Sequence, residues 1–258
     1  MTGFQIGLTS FALFAGMLCF TAAGRQLGRI RLKRNREDES FAVLEGGVFG
    51  LMGLLIALTF SISASRLEMR RQMVVDEANA IGTAWLRIAL LPEARQGAMR
   101  QHFRQYVDTR LAFHRDVANL AAATGALQLT NSLQSEIWSR AVADCAETPS
   151  VAATIVFLPA LNSMIDLSTS GTMMAKNHLP WIIRALLVLA PLLCAFMAGV
   201  ESAPRAQRVW IPSILFALML SLTVYVVLDL DYPRAGLIRI DAVDQALVEL
   251  QTSMRSGK

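Results

Sequence analysis

The side chains of this chain that could do covalent or metal chemistry are too scattered to form a catalytic site. The three histidines, His102, His114 and His178, match no metal-ligand spacing. No nucleophile with a base and an orienting partner can be assembled around them. The three cysteines are equally dispersed and indicate neither a metal site nor a disulfide. We therefore predict no enzymatic activity, no metal and no cofactor.

A second set of charged residues could act on an ion without covalent chemistry. Arg66, Arg70 and Arg71 directly follow an apolar run, and Asp229 and Asp231 end another. Arginines beside low-dielectric walls concentrate anions, but they also form ion pairs and anchor in lipid headgroups. We expect one of the three arginines to pair with Asp229 or Asp231, with ion attraction and lipid anchoring as the alternatives.

Small residues recur along one helical face before those arginines. Gly46, Gly50, Gly53 and Ala57 follow spacings of four, three and four, which allows another backbone to approach closely. The face has two interpretations, packing within the subunit or self-association around a shared axis. We take its residues as pore or helix-packing candidates.

The same segment carries further pore candidates. We expect the stripe of small residues to continue through the hydroxyls of Thr59 and Ser63 toward the arginines, which would line a vestibule. Three apolar neighbours could form a constriction: Leu54, Leu58 and Phe60.

Long apolar runs must position these residues. Phe4 to Ala23, Gly46 to Ser65 and Val209 to Leu228 carry no formal charge, and Leu179 to Val200 contains Arg184 near its start. About 20 helical residues cross a hydrocarbon core about 30 Å thick. We predict four transmembrane helices. The first is expected to be retained, because a signal peptide would carry basic residues before its apolar part.

The predicted fold is an all-α integral membrane protein with a helical extramembrane domain inserted between the second and third spans. The predicted segments are a first transmembrane pair with a basic loop, the helical domain, a second transmembrane pair, and a C-terminal extramembrane tail that packs on the helical domain. Their bounds are 1–65, 66–178, 179–228 and 229–258.

Breakers divide the middle domain into predicted helices. The second span is expected to continue as helix to about Leu91, before Pro92. Two further helices are predicted, from Glu93 to about Ala123 and from Ser132 to about Glu147. The apolar segment after them is expected either to dock as a helix or to graze the membrane. In the tail, a short strand or extended stretch through Leu237, Ile238 and Ile240 should precede a final helix.

Basic residues set the expected orientation. The net charge of +4 comes largely from the basic segment that follows the first span, so we assign it to topology and to anionic lipid, not to nucleic acid. The two short basic loops, at residues 24–36 and 201–208, are expected on the cytoplasmic side. The helical domain and both termini would then lie outside the cytoplasm, in the periplasm if the membrane is a bacterial inner membrane.

Three segments carry a family resemblance: "ALTFSISASR", "VVDEANAIGTAWLR" and "LDLDYPRAGLIRID". They resemble the bestrophin-like family of bacterial membrane proteins, and the order of spans matches over essentially the whole chain. The motif in the middle segment has four polar members, which are Glu77, Asn79, Thr83 and Arg87.

The more distant resemblance to true bestrophins implies a pentameric anion channel whose second span lines the pore. This sequence departs from true bestrophins because it has no acidic cluster like a calcium clasp. It also departs because the charge rule places the helical domain outside the cytoplasm.

We therefore predict an oligomeric ion channel that is selective for anions and conducts an inorganic anion such as chloride. Its expected partners are membrane lipid and copies of itself, with no nucleic acid. The alternative is a non-conducting scaffold or a subunit of an envelope or energy-transducing complex. A proton-driven subunit is disfavoured, because Glu45 and Arg184 are the ionisable groups near the spans and both lie at edges.

Overall fold

The computed structural model of the protein describes residues 2–33, 42–116, 120–147, 151–203, 210–232, 236–238 and 244–256. These residues form α-helices and one 3-10 turn, with no strand among them. The α-helices are α1 (Gly3–Lys33), α2 (Ala42–Arg87), α3 (Glu93–Asp116), α4 (Leu120–Ala146), α5 (Val151–Lys176), α6 (Trp181–Glu201), α7 (Trp210–Asp231) and α8 (Asp244–Ser256).

The all-helical prediction is confirmed for this described part of the chain. Among the residues that the structure describes, four candidate membrane helices are long and apolar enough to cross a bilayer. They are Gly3–Lys33, Glu45–Leu90, Ala153–Glu201 and Trp210–Asp231. The third of these joins α5 and α6, whereas the sequence prediction began its span at Leu179.

Several predicted helix ends differ from the observed ones. Helix α2 and the 3-10 turn Ile88–Leu90 stop before Pro92, as predicted. The predicted end near Ala123 is wrong, because α3 ends at Asp116 and α4 passes through Gly125. A single glycine costs a helix only about 1 kcal/mol and does not have to end it.

The predicted strand in the tail is also wrong for its described part. Leu237 and Ile238 lie in no strand, and Ile240 lies outside the described residues.

The chain divides into two compact units. Unit 1 comprises Met1–Leu67 and His178–Ile238, and unit 2 comprises Glu68–Asn177 and Arg239–Lys258. The predicted middle domain, 66–178, has nearly the same bounds as the first segment of unit 2. Each unit has its own apolar core.

In unit 1, α1 packs closely on α6 through glycines. A methyl group built on Gly24 would lie 2.1 Å from the carbonyl oxygen of Phe196, and one on Gly199 would lie 2.2 Å from that of Thr21. Gly28 is similarly close to Val200. The sequence analysis overlooked this second set of small residues.

In unit 2, aromatic and aliphatic side chains from several helices form the core. Its largest fully buried apolar members include Phe103, Tyr106 and Phe157. Helix α8 packs on α3, where Arg104 Nε donates to the carbonyl oxygen of Met254 at 3.0 Å and Arg255 pairs with Asp108 at 3.1 Å.

Candidate functional site

The small residues of α2 lie on a face that the described chain leaves open. A methyl group built on Gly46, Gly50 or Gly53 would meet nothing within 4 Å. Ala57 on the same face is exposed. The described residues therefore do not pack on this face within the subunit. Self-association is the interpretation that remains.

The predicted continuation of this stripe through Thr59 and Ser63 is wrong. Ala57 and Thr59 are two residues apart, which is about 200° around a helix and places them on opposite faces. Thr59 and Ser63 are buried, and Thr59 Oγ1 donates to the carbonyl oxygen of Leu55 at 2.5 Å. Their hydroxyls face the interior of the chain, so they cannot line a vestibule.

The three apolar candidates for a constriction are all exposed. The exposed fractions of Leu54, Leu58 and Phe60 are 56%, 55% and 44%. Large apolar side chains this exposed, beside an open face of small residues, are available to lipid or to another protein surface.

The carboxylate of Asp231, at the end of α7, joins the start of α6 within unit 1. The backbone N–H of Leu179 donates to both of its oxygens, at 3.1 and 3.0 Å. Arg66 Nη1 lies 4.0 Å from Oδ1, so Arg66 is the predicted arginine that approaches Asp231. His178 Nδ1 lies 3.2 Å from the carbonyl oxygen of Asp231, and its ring stacks on Tyr232.

Asp229, the other predicted acid, binds backbone and not arginine among the described residues. Its Oδ2 accepts the N–H groups of Leu237 and Ile238 at 3.0 and 2.9 Å. A methyl group on Gly236 would lie 1.7 Å from Asp229 Oδ1. A glycine at position 236 therefore lets the chain fold back over this buried carboxylate.

The two remaining arginines have different partners, both in unit 2. Arg70 is buried and donates to carbonyl oxygens at the end of α5, of Met174 at 3.3 Å and of Asn177 at 2.7 Å. The last carbonyls of a helix lack partners within it and carry the negative end of its dipole, so Arg70 acts as a cap. Arg71 lies 3.7 Å from Glu68 on the helix surface. The burial of Arg70 argues against ion attraction, one of the alternatives for the three arginines.

Glu77 of the family motif lies in the interior of unit 2 with two side-chain partners, Arg110 and His114. Arg110 donates two hydrogen bonds to the carboxylate of Glu77, and the one from Nη2 to Oε2 measures 3.0 Å. His114 Nε2 lies 3.2 Å from the same Oε2. Burial opposes ionisation of Glu77, but the hydrogen bond from His114 and the charge of Arg110 outweigh it and lower its pKa to about 2. Glu77 and Arg110 therefore form an ion pair that stays charged at neutral pH.

A second layer of polar groups surrounds that pair. Arg110 Nη1 lies 3.4 Å from Thr172 Oγ1, and Gln134 Nε2 donates to the hydroxyl of Tyr106 at 3.1 Å. Burial and the negative charge of Glu77 raise the pKa of Tyr106. The network connects helices α2 to α5, which fits a structural role in fixing their register.

The other motif residues do not join this network. Asn79 and Thr83 are exposed. Arg87 Nη1 donates to the carbonyl oxygen of Val156 at 2.8 Å, close to Pro159 within α5. Because proline has no N–H, the carbonyl of Ile155 loses its helical donor, and Arg87 binds the neighbouring carbonyl, that of Val156.

Among the described residues, no group of three histidine, cysteine or acidic side chains could hold a metal ion.

Arg110 and His114 were not predicted from the sequence as partners of Glu77. Their spacing of four on one amphipathic helix was a usable signal, but nothing local links them to residue 77.

Comparisons with known proteins identify the family of the chain. Residues 11–244 match the family model of the bestrophin-like domain. No curated protein is significantly similar to the chain in sequence.

The fold resembles crystal structures of a bacterial bestrophin homolog from Klebsiella pneumoniae. One variant matches with a TM-score of 0.64 and 12% identity, covering 96% of this chain and 98% of the other. A second variant matches with 0.62 and 13%, covering 96% and 100%. A structure phased on zinc matches with 0.60 and 12%, covering 94% and 98%. The family model covers most of the sequence, and the chain belongs to the bestrophin-like domain family.

Proposed function

We propose that this chain is the subunit of an oligomeric ion channel that conducts small inorganic anions such as chloride. The proposed assembly is a homo-oligomer, a pentamer by analogy with true bestrophins, in a bacterial inner membrane. Family membership and the shared fold support a channel over an enzyme. Unit 2 is proposed to lie outside the bilayer, on the periplasmic side.

The open small-residue face of α2 is the observation that carries the proposal. Gly24, Gly28 and Gly199 contact neighbouring backbone within the subunit, whereas Gly46, Gly50 and Gly53 contact nothing within 4 Å of an added methyl group. A face of this kind in a membrane helix favours close approach of another helix. Since the described chain does not supply that helix, a second subunit is the natural partner.

The apolar side chains beside that face give the proposed constriction. Leu54, Leu58 and Phe60 are exposed, and apolar rings in a pore gate ions by expelling water. Arg66 is the arginine that we assign to attracting the ion, because its side chain is 22% exposed and its 4.0 Å approach to Asp231 Oδ1 is too long for a hydrogen bond. Arg70 is excluded from this role by its burial.

Reconstitution with a steric variant tests the proposal. Purified protein in liposomes should pass chloride, and Gly50→Leu should reduce both the oligomer mass and the flux, because a bulky side chain holds the helices apart. Gly97→Leu is the matched control, since Gly97 is an equally open glycine of α3 in unit 2. It should leave assembly intact.

The rival function is a non-conducting membrane scaffold. A wild-type protein that remains monomeric in mild detergent and in nanodiscs, and that passes no chloride, would support the scaffold. If an assembled oligomer conducts cations better than chloride, the channel stands and the anion selectivity is wrong. Arg66→Gln should lower the chloride preference, which tests the charge separately from assembly.

A further inference from the structure

Helix α1 is longer than a bilayer core. Its 31 residues span about 46 Å at about 1.5 Å per residue, against a hydrocarbon thickness of about 30 Å. The charge-free run ends at Gly24, directly before Arg25, and the helix continues without interruption to Lys33. If the charge-free run fills the core, residues 25–33 pass through the headgroup layer.

One face of this extension is already occupied. Gly24, directly before the extension, and Gly28 within it are buried against α6, where Phe196 and Val200 provide the backbone contacts. That contact fixes how the extension is rotated about its axis. The side chains on its remaining circumference therefore have defined directions.

Two further faces of the extension are exposed and differ in chemistry. Arg25, Arg29 and Lys33 recur every four residues and so lie on one side, with Arg29 and Lys33 exposed. Leu27 and Ile30 lie on another side, which the exposed Arg31 flanks, and they are 38% and 46% exposed. A basic face next to an exposed apolar face is the pattern of a helix that lies among lipid headgroups.

We propose that residues 25–33 of α1 form a binding site for anionic phospholipid, with phosphatidylglycerol as its simplest ligand. The phosphate binds to the basic face formed by Arg25, Arg29 and Lys33, and the glycerol end of the acyl chains packs on Leu27 and Ile30 at the edge of the core. The charges are complementary, and the apolar neighbours distinguish a lipid from a free anion. The site is independent of conduction, since α2 contributes nothing to it.

Native mass spectrometry of the purified full chain tests this site. The protein is mixed with phosphatidylglycerol and phosphatidylcholine in equal amounts, and the bound lipids are counted. The wild type should retain phosphatidylglycerol selectively. The triple variant Arg25→Gln, Arg29→Gln, Lys33→Gln should weaken that preference by about a hundredfold, because each basic residue near an anionic surface contributes about fivefold.

Two variants control for lost charge and for misfolding. Arg115→Gln, Arg140→Gln, Lys176→Gln removes the same net charge from exposed positions of unit 2 and should keep the preference. Arg25→Lys with Arg29→Lys keeps the charge of the site and should also keep most of the preference for phosphatidylglycerol. An unchanged preference in the glutamine variant, or an equal loss in the unit 2 variant, would refute the site.

Competition separates the lipid from a free anion. Inorganic phosphate at the same concentration should displace no phosphatidylglycerol, whereas Leu27→Gln with Ile30→Gln should reduce lipid retention and leave the net charge unaltered. Displacement by phosphate alone would show an anion site without lipid contact and would overturn the proposal.

Discussion

Glu77 remains ionised in the interior of unit 2 because Arg110 and His114 compensate for its burial. Removing one partner of a buried ion pair is far more costly than removing both, since the remaining charge is left without water or a counter-ion. The pair therefore gives a sharp test of what the family motif contributes to folding.

Glu77→Gln should lower the free energy of unfolding by about 3–5 kcal/mol at neutral pH, because it leaves Arg110 buried without a carboxylate. Denaturant unfolding in detergent measures this loss. Asp76→Asn is the matched control, because Asp76 bonds Gln72 on the helix surface at 2.8 Å. Equal losses in the two variants would contradict the assigned role.

The pH dependence of this effect has a definite sign. The pKa of Glu77 is about 2 in the folded chain, against 4.5 for an ordinary glutamate. A lowered pKa stabilises the fold fully above the unfolded value and loses that contribution as pH falls through the folded value. The difference between wild type and Glu77→Gln should therefore be constant above about pH 4.5 and shrink from there toward pH 2.

Asp231 should matter more than the arginine beside it. Asp231→Ala removes the acceptor of the buried Leu179 N–H and should cost about 1–3 kcal/mol. Arg66→Ala removes a partly exposed partner at 4.0 Å and should cost about 0–1 kcal/mol. Melting temperatures in detergent rank the two. A larger loss for Arg66→Ala would show that the ion pair is the main contact.

At the scale of elements, the two sets of helical glycines predict opposite responses to the same substitution. Gly24→Ala places a methyl group 2.1 Å from the carbonyl oxygen of Phe196, so α1 and α6 must separate and the melting temperature should fall by several degrees. Gly50→Ala meets nothing within 4 Å and should leave the melting temperature of the monomer unchanged or slightly higher. A thermal scan of monodisperse monomer would reveal any reversal of this order.

Arg87 links α2 to α5 through the carbonyl oxygen of Val156. Arg87→Ala removes this donor and should destabilise unit 2 by about 1–3 kcal/mol. Denaturant unfolding in detergent measures the loss. An unchanged unfolding midpoint would show that this contact does not contribute to stability.

The apolar runs and breakers made much of this architecture predictable. Charge-free runs long enough to cross a bilayer indicated the candidate membrane helices, and Pro92 marked the end of α2 and its 3-10 turn. Contacts between distant residues had no such local signal. The pairing of Glu77 with Arg110, and the capping of α5 by Arg70, depend on how the chain folds back.

The predicted continuation of the glycine stripe to Thr59 was wrong for a geometric reason. Thirteen residues after Gly46, Thr59 lies on the opposite side of the helix from the glycines, as the turn of about 100° per residue requires. Its burial in the structure follows directly from that angle. The candidate pore face beside the glycines is therefore apolar and small, and the hydroxyl of Thr59 is not part of it.

For the whole molecule, orientation in the membrane is the proposal that depends most on charge. The loop after α1 and the loop between α6 and α7 are rich in basic residues, which favours their retention in the cytoplasm. A single candidate span separates each of these loops from unit 2, which would then lie in the periplasm.

Cysteine labelling tests the orientation, although the native thiols are unsuited to it. Cys145 is buried, and burial raises the pKa of its thiol, so it should react slowly on either side. Ser139→Cys in a background without native cysteines offers an exposed position on α4. A membrane-impermeant maleimide should label it in intact spheroplasts as fully as in lysed ones. Labelling that appears only after lysis would place unit 2 in the cytoplasm and reverse the proposed topology, while leaving the channel proposal intact.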